Sequence, residues 1–138
     1  MKGQNAIFEQ VLLFAIAVAI FVISVGIFQM YQNYYSSTAL IDHTKSIRDV
    51  VGNHILELTS MDDLNASLVF SIPEELSGEY YRVKVNDTEL WVTTDSSGVT
   101  SASSLEGLRA SGYRFSGEAR SSRGEIIIYK RGYNIILG

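Results

Sequence analysis

The chain carries two hydrophobic patterns in succession, and they ask for different solvents. From Gln10 to Ile41 no residue is charged, and Val11 to Phe28 reads VLLFAIAVAIFVISVGIF. At the helical rise this stretch spans ~27 Å, close to the hydrocarbon thickness of a bilayer. Only Ser24 and Gly26 interrupt it, and a serine hydroxyl can bond back to its own helix at little cost. A helix that is apolar all round must be covered all round, by lipid or by protein.

Beyond this run the pattern becomes amphipathic. Leu40, Ile47, Val51, Ile55 and Leu58 recur at helical spacing, and no proline or glycine falls between Met30 and Val51. One helix is therefore expected from about residue 5 to 58, ~80 Å long. Residues 11–30 are its membrane-length part and 40–58 its amphipathic part. Gly52 weakens one turn. Tyr31, Tyr34 and Tyr35 suit either a water boundary or packing against the C-terminal domain.

After Asp62-Asp63 the period drops to two. Leu68–Ile72 reads as a strand closed by Pro73. Tyr80–Val85 and Leu90–Thr94 flank an Asn86-Asp87 turn as a hairpin. Asp95–Gly98 is a further turn, and Tyr113–Phe115 a weaker strand. Glu125–Tyr129 and Tyr133–Leu137 form an apolar pair around Lys130-Arg131-Gly132. Ser96–Ser104 is rich in Ser and Thr but too short for a linker. The expected fold is α+β: a long N-terminal hydrophobic helix, then an antiparallel β-sandwich or partly closed barrel over 62–138.

Composition and charge narrow the chemistry. The net charge of −4 over 138 residues, with basic residues scattered late in the chain, gives no nucleic-acid footprint. There is no cysteine, hence no disulfide framework or thiolate site. His43 and His54 lie about three helical turns apart, too far for one metal ion. No histidine follows His54, so no Ser-His-Asp arrangement can form in the sheet, and no phosphate loop, HExxH or EF-hand motif occurs. The acidic pairs Asp62-Asp63 and Glu74-Glu75 read as solvated turns. No catalytic residue, cofactor site or metal site is expected, and the chain does not read as an enzyme. Asn65-Ala66-Ser67 and Asn86-Asp87-Thr88 are N-glycosylation sequons, expected in loop or turn, although Asn-Asp is also good turn chemistry.

The first residues admit three readings. Ala15-Ile16-Ala17 and Ala17-Val18-Ala19 look like secretory cleavage sites, but cutting there leaves Ile20–Phe28 as an apolar end. A plain membrane anchor is the second reading. The third rests on Met1-Lys2-Gly3-Gln4-Asn5-Ala6-Ile7-Phe8-Glu9, a short leader with one positive charge and a glycine, then a lone glutamate beside the apolar run. This resembles a class III signal peptide, and the segment Met1–Tyr35 is similar to archaeal type IV pilins.

The resemblance implies a leader of residues 1–4, cut by a prepilin peptidase at Gly3–Gln4 or Gln4–Asn5. The two cuts make Glu9 the sixth or the fifth mature residue; the family pattern has it fifth. It implies that Glu9 pairs with a neighbouring subunit's new α-amino group, against the plain reading that Glu9 marks the membrane interface. It also implies a lollipop outline and a glycosylated extracellular head, with Asn65 and Asn86 as candidates. The expected life history starts in the cytoplasmic membrane and ends in a surface filament of identical copies, built by pilus assembly machinery and used for adhesion. The alternatives are a single-pass anchored extracellular binding module and an archaellum-related component. Lys2 on one side of the run and Lys45 and Arg48 on the other leave the positive-inside rule nearly undecided.

Overall fold

The structure is a computed structural model that describes residues 2–138; Met1, first residue of the expected leader, lies outside them. The chain divides into two compact units, Met1–Ser37 and Thr38–Gly138. A single helix, α1 (Lys2–Ser60), contributes to both. It stops where serine and threonine take over the last carbonyls. Thr59 Oγ1 donates to Leu56 O at 2.8 Å and Ser60 Oγ to Glu57 O at 2.7 Å, satisfying acceptors that the helix end leaves without partners.

The second unit holds the hydrophobic core. From α1 it takes Leu40, Thr44, Ile47, Val51, Ile55 and Leu58, the amphipathic stripe of the sequence plus one polar member. Thr44 is fully buried because its hydroxyl turns back to Ile41 O at 2.8 Å and presents its methyl to the core.

The remainder is one seven-stranded sheet. Its strands are β1 (Asn65–Ser71), β2 (Tyr81–Val85), β3 (Glu89–Thr94), β4 (Thr100–Ser104), β5 (Arg114–Arg120), β6 (Glu125–Arg131) and β7 (Asn134–Leu137). A short helix, α2 (Glu106–Ala110), joins β4 to β5. The order across the sheet is β1-β6-β7-β5-β2-β3-β4. Every pairing is antiparallel except β5 with β7. The α+β class is as expected. The sheet is not closed into a barrel, and β1 and β4 remain as its edges. The physical reason is that the stripe of α1 shares one core with the inner face of the sheet, so no second sheet is needed to cover it.

Alternation along the strands decides which face is inner. In β2, Tyr81, Val83 and Val85 are buried while Arg82 and Lys84 are exposed. Leu90 and Val92, Phe115 and Ala119, Ile126 and Ile128, Ile135 and Leu137 continue the same layer. Each large apolar side chain buried this way contributes ~1.5–3 kcal/mol. Tyr81 enters the core completely, with its hydroxyl on Pro73 O at 2.7 Å, and burial pushes its phenol well above the ordinary range.

The parallel pair needs one special residue. Gly117 has φ +121°, and a Cβ there would stand 2.1 Å from Leu137 O and 2.8 Å from Leu137 N. Only glycine lets β5 and β7 approach that closely.

Candidate assembly surface

The described residues of the first unit, 2–37, are helix alone and exposed throughout. Phe14, Phe21 and Phe28 are 71%, 69% and 62% exposed. Leu12, Leu13, Ile16, Val18, Ile20, Val22 and Ile23 carry the same character around the remaining faces. Near the N-terminus, then, lies a helix long and apolar enough to cross a membrane. Ser24 Oγ donates to Ile20 O at 2.8 Å, so the one hydroxyl inside the run is satisfied within the helix. Tyr31, Tyr34 and Tyr35 are exposed and lean on one another, with ring centroids 6.5 Å and 6.0 Å apart.

Gly3 and Gln4 lie in the first turn of α1 and are exposed. Glu9 follows on the same helix within ~9 Å along the axis, also exposed. Among the described residues Glu9 has no ion-pair partner. The helix thus brings the expected cleavage point and the lone carboxylate together at the border of the uncharged stretch.

The two sequon asparagines are separated by the width of three strands. Asn65 is the first residue of β1, exposed, and so in a strand where a loop was expected. Asn86 sits in the β2–β3 turn, where its Oδ1 accepts from Thr88 N at 2.9 Å, Thr88 Oγ1 at 3.0 Å and Glu89 N at 2.7 Å. Its carbonyl builds the turn, as expected of Asn-Asp.

The second unit has polar contacts that the sequence did not announce. Lys130 is buried, and its ammonium donates to Met61 O just past the end of α1 and stands 5.9 Å from the Tyr113 ring. Tyr113 OH donates to Thr59 O at 2.9 Å. Together they close the carbonyl end of α1, where positive charge is favoured. Asp87 accepts from Phe115 N and from Arg114 Nη1, each at 3.0 Å. The backbone N–H first, and the guanidinium second, hold its carboxyl below the usual carboxylate range. Arg82 pairs with Asp95 at 2.8 Å.

A shallow groove of about 430 Å³ between α1 and α2 is lined by Arg48, Asp49, Gly52, Ser103, Leu105 and Leu108. Its one carboxylate, Asp49, is already tied to Arg48 at 2.7 Å. His54 stacks on Phe70 at 4.2 Å and faces Glu57 at 3.3 Å, a packing role. Among the described residues no group of three metal-ligating side chains occurs. No known protein family, curated protein or solved structure matches this chain.

Proposed function

We propose that this chain is a structural, non-enzymatic subunit of an extracellular filament of the type IV pilin kind. It waits in the cytoplasmic membrane, loses a leader between Gly3 and Asn5 to a prepilin peptidase, and is then drawn by assembly machinery into a polymer of its own copies. The observation that carries this reading is a membrane-length helix exposed on every face, bordered by a single carboxylate that has no ion-pair partner among the described residues. Lipid can cover such a helix, and so can the same helix of neighbouring copies. Close packing at the small residues Ala15, Ala17, Ala19 and Gly26 supports the second environment. A head-to-tail contact that does not close on itself gives an open helical polymer. Glu9 is assigned to a neighbour's α-amino group, since a carboxylate among apolar helices needs a cation. Surface adhesion is the assigned use, with Asn65 and Asn86 as glycan positions on the exposed head.

The test is Glu9→Gln. At the membrane interface Glu9 stays hydrated, so insertion is expected to be unchanged. In the polymer the substitution leaves a buried ammonium unpaired at every contact. Filament yield per inserted subunit is expected to fall at least about tenfold, since ~1.4 kcal/mol per contact already suffices for that. Equal yields, or a native chain that still begins at Met1, would sink the reading in favour of a single-pass anchored binding module.

A further inference from the structure

The two edges of the sheet are finished differently. At the β4 edge, Thr94 N donates to Val99 O at 3.0 Å and Leu105 N to Thr88 O at 2.8 Å. This phase turns Ser101 and Ser103 toward β3 and leaves Thr100, Ala102 and Ser104 facing out. That edge is partly engaged: Arg48 Nη1 donates to the outward Ala102 O at 3.1 Å. A charged side chain on an edge strand discourages further pairing.

At the β1 edge nothing comparable stands. Ile72 N donates to Gly124 O at 2.9 Å and Gly132 N to Leu64 O. Even-numbered residues of β1 therefore bond to β6, and Asn65, Ser67, Val69 and Ser71 turn their N–H and C=O outward. All four are exposed, and among the described residues those backbone groups have no partner. The strand NASLVFS contains no charge and no proline. Beside it on the outer face, Val69 lies against Ile127, and Tyr129 against Ile136. Val69 is 57% exposed and Tyr129 39%.

We propose that β1 is the site at which a second copy of this chain adds, strand to strand and antiparallel, about a two-fold axis at Leu68. This register uses all four outward residues, pairing Asn65 with the second copy's Ser71 and Ser67 with its Val69. It makes about eight new backbone hydrogen bonds, two per pair. It also joins the two Val69–Ile127 patches across the seam. Charge favours one orientation only weakly, because the charged residues stand three strand spacings, ~14 Å, apart. β6 carries exposed Arg131 beside Asn65 and exposed Glu125 beside Ser71. Antiparallel addition sets Arg131 of one copy in the row of the other copy's Glu125, whereas parallel addition sets like charge against like. The guanidinium on Ala102 O disfavours head-to-tail continuation through β4, and a β1–β1 contact is self-complementary. The two-fold stands normal to the sheet, so the α1 stripes packed on it run in opposite directions in the two copies, and the partner is a copy facing this one, not a neighbour inserted the same way in one membrane. A glycan on Asn65 would stand at the end of this strand, so modification and pairing compete there.

The chain has no cysteine, so single-cysteine variants of the full, unglycosylated chain in detergent, where copies are free to face one another, report the contact under mild oxidation. Leu68→Cys places its sulfur opposite its own copy in a non-hydrogen-bonded pair, ~4.5 Å between Cα atoms, within disulfide range. It is expected to run mostly as a dimer. Asn65→Cys and Ser71→Cys are each expected to stay monomeric alone and to cross-link when mixed. Ser116→Cys, exposed in the middle of the sheet, gives the level of random collision. Val69→Pro removes an outward N–H without touching the β6 ladder, so adding it to Leu68→Cys should abolish the dimer with native Trp91 fluorescence kept. Where Val69→Pro loses that signal, Ser67→Lys serves, leaving the ladder intact and setting two lysines across the seam. The proposal is overturned by Leu68→Cys dimers no more abundant than those of Ser116→Cys. It is equally overturned by self-cross-linking of Asn65→Cys, which means parallel pairing, or by Leu68→Cys joining Ala102→Cys, which means head-to-tail addition. Filaments that still form with Val69→Pro separate this contact from the proposed polymer.

Discussion

Gly117→Ala isolates the most demanding backbone contact in the sheet. A β-carbon at Gly117 would lie 2.1 Å from Leu137 O, 2.8 Å from Leu137 N and 2.9 Å from Leu137 C. Those are backbone atoms of a paired strand, so relief requires β5 and β7 to part by about 1 Å. The residue must also hold φ +121°, a strain of ~1–3 kcal/mol for an L side chain. Parting the strands forfeits one or two ladder bonds at ~1 kcal/mol each. The sum is ~2–5 kcal/mol, against typical domain stabilities of ~5–15 kcal/mol. Two controls divide the cost. Gly132 has φ +60° but open space around it, and Gly107, inside α2, has open space and no positive φ. Gly132→Ala should lose ~1 kcal/mol from conformation alone, and Gly107→Ala should be neutral or slightly stabilising. Thermal unfolding of the full chain in detergent, followed by near-ultraviolet dichroism and the single Trp91, reads the order directly. With ~4–8 °C per kcal/mol for a unit of this size, Gly117→Ala should melt at least ~8 °C below the parent. A midpoint within about 3 °C of Gly132→Ala would refute the claim that close approach to Leu137 dictates glycine there.

Other perturbations test the core and its polar fastenings. Ile55→Ala, at a fully buried helix position, should cost ~2–5 kcal/mol in the same melt. A chain beginning at Thr38 should keep a native near-ultraviolet spectrum; one beginning at Asp62 lacks the α1 stripe and should lose it. Lys130→Ala removes the donor to Met61 O and should cost ~1–3 kcal/mol. Because Asp87's carboxyl is depressed by the Phe115 N–H and Arg114, its contribution is present above the unfolded value near 3.8 and is lost as pH falls through the lower folded value. Asp87→Asn should therefore flatten the stability profile below about pH 4 and leave its slope unchanged near neutrality.

Much of the fold is written in periodicity. The helix stripe Leu40–Leu58 and the alternation in β2, β3, β6 and β7 follow directly from apolar spacing. What escapes periodicity is structure built from small polar groups. β4 reads TSASS, and its buried member is Ser101, so no hydrophobic signal marks it as a strand. Thr44 is buried inside an apolar stripe because its hydroxyl is satisfied locally, a fact invisible in residue type. Lys130 looks like part of a charged turn, yet β6 extends through Arg131 and turns that lysine inward. The parallel β5–β7 contact joins strands that are not neighbours in the chain, and only Gly117 hints at it. Of the candidate site, Glu9 was legible because a lone charge bordering an uncharged run stands out. The free edge of β1 was not, because edge status depends on the order of all seven strands.

The division between the units bears on how one chain could serve two environments. The buried core begins at Leu40, and no residue before it belongs to the cluster. Exchanging lipid for protein around residues 11–28 therefore changes nothing that holds the second unit folded. The second unit has its own core, in which no described residue of the apolar run takes part. It builds that core without a disulfide by taking its covering layer from the same helix that continues into the apolar run. A separate covering helix would add a loop and its closure entropy. Here the residues that order α1 at its carbonyl end, Lys130 and Tyr113, fasten the sheet to the helix directly. Loss of either fastening is therefore a change to the folded unit and not to the apolar run, and that difference lets assembly defects be told from folding defects in each of these variants.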